Sequence, residues 1–72
     1  MKKINKIKIK LNGRYISTQN NITLLKLVKK NNISLNKVAI ELNTNIVNKK
    51  SLGKIKIKKN DKIEIVHFIG GG

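Results

Sequence analysis

The residues with the most chemical promise in this chain are three glycines, Gly70, Gly71 and Gly72, taken together with the α-carboxylate that follows them. Glycine has no Cβ, reaches regions of φ/ψ closed to other residues and adds nothing to a core. Three of them, about 10 Å long when extended, predict a thin stalk carrying one ionised carboxylate. A frayed terminus or an appended remnant has the same composition, so the tail alone does not decide between a tool and an idle end. Other groups suited to acid, base or ligand chemistry are few. Glu41, Asp61 and Glu64 are the only acids, His67 is the only histidine and there is no cysteine. One histidine cannot make a metal site, and nothing in the pattern gathers these four into a pocket, so no catalytic residue and no metal site is expected.

The elements that would position the tail come next. Ile63-Glu64-Ile65-Val66-His67-Phe68-Ile69 is a β-branched, largely apolar run that predicts a strand buried on at least one face, with Ile69 its last rigid residue. His67 alternates with Ile63 and Ile65, which predicts a partly buried histidine, hydrogen-bonded at the end of a sheet. Nearer the start, Ile7-Lys8-Ile9-Lys10-Leu11 alternates apolar and charged with period two, a strand with one wet face. Asn12-Gly13 then favours a type I′ turn, so Arg14-Tyr15-Ile16-Ser17 should fold back as the second strand of a hairpin. Thr23 can cap a helix over 24–30, in which Leu24, Leu27 and Val28 share one face, Leu25 widens the stripe and Asn31-Asn32 supplies the stop.

Val38, Ile40 and Leu42 alternate inward along a third strand, Asn43-Thr44-Asn45 is a turn, and Ile46-Val47 a short strand. Residues 48–51 read as a polar connector leading to Leu52-Gly53, residues 54–58 as a brief extended segment and residues 59–62 as a turn. Strand, strand, helix, strand, short strand, strand is an α+β order. The economical two-layer solution is a β-grasp, with one main helix packed on one face of a mixed sheet of four or five strands. Residues 1–69 are expected to form that domain and residues 70–72 a flexible tail.

Seventy-two residues suffice for one small core. No apolar run is long enough to cross a bilayer and the first residues lack a signal-peptide core, so a soluble cytoplasmic protein is expected, or a plastid stromal one if the gene is carried by an organelle. The net charge is +14, from 17 basic residues against three acids. Such a charge suggests a nucleic-acid partner. Two features oppose that. Lysine, isoleucine and asparagine dominate together, as A+T-rich coding produces, and Tyr15 and Phe68 are the only aromatic side chains for stacking bases.

With order and tail in hand, the chain resembles the small sulfur-carrier proteins of thiamine thiazole biosynthesis, members of the ubiquitin-like β-grasp group. The likeness rests on Leu11-Asn12-Gly13, on residues 38–43 with Ile46-Val47, and above all on residues 61–72. It departs from the family pattern at Asn48, Lys49 and Leu52, at Asn60-Asp61, and in its charge, since relatives tend to be acidic.

The resemblance implies chemistry done to the tail by other proteins. An ATP-dependent, E1-like activating enzyme would join the Gly72 carboxylate to AMP. A sulfur donor, such as a cysteine desulfurase system, would displace AMP to leave a thiocarboxylate, and thiazole synthase would take the sulfur. The chain itself would be no enzyme and bind no cofactor, ATP belonging to the partner. The absence of cysteine agrees, because sulfur cannot ride here as a persulfide. Gly70 and Gly71 would let the tail thread a narrow channel, while Val66, Phe68 and Ile69 could supply an apolar docking contact. The small subunit of molybdopterin synthase and ubiquitin-related modifiers use the same kind of tail and stay open as alternatives. So do two readings of other classes, a small basic nucleic-acid-binding module and a structural subunit with an inert end.

Overall fold

Asn12 and Gly13 adopt φ values of 51° and 81°, the left-handed pair that closes a two-residue hairpin with the twist its strands prefer. They join β1 (Lys6–Leu11) to β2 (Arg14–Gln19), paired antiparallel from Leu11↔Arg14 to Lys6↔Gln19. The computed structural model describes residues 5–67. The expected stalk of Gly70, Gly71 and Gly72, together with Phe68 and Ile69, lies outside the described residues.

Thr23 caps α1 (Leu24–Lys30), its hydroxyl accepting a hydrogen bond from the Lys26 N–H at 3.2 Å. Leu24, Leu27 and Val28 are buried, Leu25 is half-buried, and Lys29 and Lys30 occupy the last turn, where the helix dipole favours cations. Val38 and Ile40 of β3 (Val38–Leu42) and Ile63 and Ile65 of β5 (Lys62–His67) meet that stripe from the sheet. A two-residue β4 (Asn45–Ile46) returns along β3 after a turn in which Asn43 and Thr44 both take positive φ, 51° and 74°. The five strands lie in the order β2-β1-β5-β3-β4, with β1 and β5 parallel and every other neighbouring pair antiparallel. This is the α+β β-grasp arrangement, a five-stranded mixed sheet with one main helix on one face.

Three segments depart from the sequence expectations. The expected connector over residues 48–51 and the Leu52-Gly53 that follows it fall largely within a 3₁₀ helix, Lys49–Lys54, that Asn48 caps, and Leu52 has zero exposure in the core. A second, shorter 3₁₀ turn, Leu35–Lys37, precedes β3. Of residues 54–58, expected to be extended, Lys54 closes the Lys49–Lys54 3₁₀ helix, and the segment from Ile55 bonds to the chain entering α1 and not to the sheet. The Leu24 N–H donates to the Ile55 carbonyl and the Ile57 N–H to the Ile22 carbonyl, both at 2.8 Å. His67 is exposed, where a partly buried residue was expected. The alternation placed it on the correct face, opposite Val38. However, β1 pairs with β5 only as far as Ile63, so His67, the last residue of the strand, has a strand neighbour on one side alone, while Val38 opposite it is buried.

Candidate functional site

The strand that leads to the tail lies in the middle of the sheet, between β1 and β3. Its first half is held from both sides. The Lys10 N–H donates to the Asp61 carbonyl and the Asn12 N–H to the Ile63 carbonyl, each at 2.9 Å, while the Asn43 N–H donates to the Lys62 carbonyl at 2.7 Å. Asp61 is a structural acid: its carboxylate accepts from Asn43 Nδ2 at 3.0 Å and from the Lys58 N–H at 2.8 Å. The Asn43 side chain completes the clamp by accepting from the Lys62 N–H at 2.9 Å.

Beyond Ile63 the strand outruns β1, whose register with it covers only Lys10↔Lys62 and Leu11↔Ile63. Asn12 takes over there. From the tip of the β1–β2 hairpin its Oδ1 accepts from the Ile65 N–H at 2.7 Å, so a turn residue continues the ladder that the strand has ended. Sequence reasoning gave Asn12 the turn but not this bond, which spans 53 residues of chain.

The sheet face away from α1 is open, and strand register sorts it into zones. Lys6, Lys8 and Lys10 line β1, opposite Gln19, Ser17 and Tyr15. The Lys10 and Lys8 ammonium groups lie 5.1 and 6.0 Å from the Tyr15 ring centre, within cation–π range. Glu41 and Glu64 face each other across β3 and β5, two of the chain's three carboxylates in a like-charge pair. Val66 stands opposite Ala39, and Ile46 opposite Glu41. Val66 and Ile46 are 47% and 75% exposed, two apolar side chains with β3 between them. Of the expected docking residues, Val66 is therefore outward and accessible. Ile46 was not among them, because its face depends on how β4 registers with β3. Among the described residues no group of three or more His, Cys, Asp or Glu side chains is arranged to hold a metal ion.

Comparison with known proteins ties this geometry to a family. The ThiS family model matches residues 4–72, through the last glycine. A curated thiazole synthase from Magnetococcus marinus is 38% identical over 66 residues, which cover 92% of this chain and 20% of that protein. The chain thus spans about a fifth of that relative's length. An uncharacterized protein, ycf40, from Trieres chinensis is 42% identical over 62 residues, covering 86% of this chain and 85% of its own. In fold, the crystal structure of the thiamine biosynthesis protein ThiS from Geobacter metallireducens is similar with a TM-score of 0.81 at 20% identity, over 92% of this chain and all of that one. Its solution counterpart gives 0.72. A family model that accounts for all but the first few residues, on a sheet whose central strand feeds the glycine tail, leaves one assignment: the chain belongs to the ThiS family.

Proposed function

We propose that the protein is a sulfur carrier in the synthesis of the thiazole moiety of thiamine, and that its working part is the terminal carboxylate of Gly72. The observation that carries this reading is the family match, which runs through the glycine tail to residue 72. The relatives named thiazole synthase support the partnership, since each contains a segment like this chain within a longer polypeptide. They also favour thiamine over the molybdopterin and modifier alternatives.

In this scheme the chain is a protein substrate and not a catalyst. A carboxylate is a poor electrophile, so its oxygen first attacks the α-phosphorus of ATP on the activating enzyme. Pyrophosphate leaves, and an acyl adenylate is formed. The terminal sulfur of a donor persulfide then attacks the carbonyl carbon and AMP leaves; a thiol of the donor system cleaves the resulting acyl S–S bond, ending in a disulfide itself, and the sulfur stays on carbon as a thiocarboxylate for delivery to thiazole synthase. The described fold serves this chemistry by anchoring one end of the tail. With β5 bonded on both sides, the carboxylate is carried from a fixed origin, which cuts the orientational freedom lost when it enters a partner's site.

The test uses the full chain with its activating enzyme. Deleting Gly72, or replacing Gly71→Leu, should leave the melting transition unchanged and abolish ATP–pyrophosphate exchange. Unchanged exchange in either variant overturns the proposal. Intact mass of the protein from its native host gives an independent check, the expected gain being the difference between one sulfur and one oxygen.

A further inference from the structure

The outer edge of β2 and the cleft beside it lie across β1 from β5. Strand order leaves β2 and β4 at the two edges of the sheet, and β4 is only two residues long. β2 offers six residues of edge, with no proline in the chain to interrupt it. The hydrogen-bond phase of the hairpin tells which groups that edge presents. The Asn20 N–H donates to the Asn5 carbonyl, so Asn5 and Asn20 form a bonded pair. Bonded and non-bonded pairs alternate in an antiparallel ladder. Ile7↔Thr18, Ile9↔Ile16 and Leu11↔Arg14 are therefore bonded pairs, and the N–H groups of Tyr15, Ser17 and Gln19 point away from the sheet. The Gln19 carbonyl is engaged by the Ile22 N–H, while Tyr15 and Ser17 present both donor and acceptor outward.

Beside this edge lies an open cleft of about 300 Å³, walled by Ile16, Ser17 and Thr18 on one side and by Leu27, Lys30 and Asn31 of the α1 end on the other. Its lining is mixed: Ile16, half-buried, and Leu27, almost wholly covered, are its apolar members, beside Ser17, Thr18 and Asn31. Its rim is cationic. Lys30 lines it, and Lys26 lies one turn back on the same helix face. None of the three acids is near: Glu41 is on β3, Glu64 on β5, and Asp61 just before β5, all across β1 from β2. From the strand edge, the cleft beside it with Ile16 in its wall, and the cationic rim we infer that this cleft takes an extended protein segment. The segment adds to β2 as a sixth strand, sets small apolar side chains against Leu27 and Ile16, and brings flanking carboxylates to Lys26 and Lys30. A second copy of this chain is disfavoured as occupant, because it would bring its own +14 charge to a lysine rim.

The experiment follows backbone amide signals of the full chain by NMR during titration with a synthetic peptide of alternating valine and threonine flanked by aspartates. Saturable shifts are expected at Tyr15, Ser17, Gln19 and residues 27–31. They should weaken as salt is raised, and a lysine-flanked version should give none. Ser17→Pro removes an outward N–H without touching the β1–β2 ladder, so it should weaken binding roughly tenfold in a folded protein. Should that variant misfold, the same peptide N-methylated on its pairing edge should fail against the unaltered protein. Shifts spread over all lysine-bearing surfaces, shifts confined to the open face, or equal effects from an oligothymidylate overturn the proposal. So does slower tumbling with rising protein concentration alone, which would make a second copy the occupant. Tail chemistry is not read in this assay, so its failure leaves the sulfur-carrier reading untouched.

Discussion

Asn12 does two things at once, and three substitutions separate them. Its backbone sits at φ 51°, and its Oδ1 accepts from the Ile65 N–H at 2.7 Å. Asn12→Asp keeps both the tolerance of that φ and the acceptor, so its stability should stay within about 0.5 kcal/mol of the parent. Asn12→Gly keeps the backbone but loses the acceptor. The partly buried bond contributes about 1 kcal/mol, and the freer unfolded chain of glycine adds about 0.5 kcal/mol, for a loss near 1.5 kcal/mol. Asn12→Ala loses the acceptor and also forces a Cβ into left-handed space at about 1 to 2 kcal/mol, for a loss of about 2 to 3 kcal/mol. Urea melts should rank the three in that order. Amide exchange then localises the effect: in Asn12→Gly the Ile65 amide should lose about fivefold in protection, the factor equivalent to 1 kcal/mol, beyond any change shared by the whole sheet. If Ile65 exchanges no faster than its neighbours in that variant, the turn does not hold the strand and the account of how the tail is anchored fails.

Leu52→Ala should cost about 2 to 5 kcal/mol, since a side chain with no exposure is removed; a urea-derived change below about 1 kcal/mol would mean the 3₁₀ helix is not a core element. Thr44 holds a β-branched side chain at φ 74°. Thr44→Gly relieves about 1 to 2 kcal/mol of steric cost against about 0.5 to 1 kcal/mol of added unfolded-state entropy, so a rise in melting temperature of a few degrees is expected and a fall would contradict the assignment. Val66→Lys, on the open face at 47% exposure, should leave the melt nearly unchanged and weaken association with the proposed activating enzyme by roughly tenfold; unchanged association would remove Val66 from the proposed docking surface.

The parts of this fold legible in the sequence are those with a local cause. Asn12-Gly13 fixes a turn through its own φ preferences, Thr23 announces a helix through its own hydroxyl, and the alternation over residues 38–42 names its buried face without reference to the rest of the chain. Leu52 was not legible as core, because one leucine among lysine, asparagine, serine and glycine carries no period; only the packed layers show where it goes. His67 was misjudged for a related reason: alternation gives the side of the sheet, but burial at a strand's end depends on which neighbouring strands reach it. For the site, residue types pointed to the glycine tail. The tether from Asn12 to Ile65, the exposure of Ile46 and the cleft at β2 all depend on pairings between distant segments, which no local pattern encodes.

The parallel pairing of β1 with β5 joins the earliest strand to the latest one, with β5 also carrying β3. During translation, then, neither the hairpin nor the β3–β4 pair has its central neighbour until residues 62–67 clear the ribosome. A truncated product that stops before Lys62 lacks the keystone of the sheet and should be cleared by proteases. Competence to complete the sheet and possession of the strand that precedes the glycines are thereby made the same event.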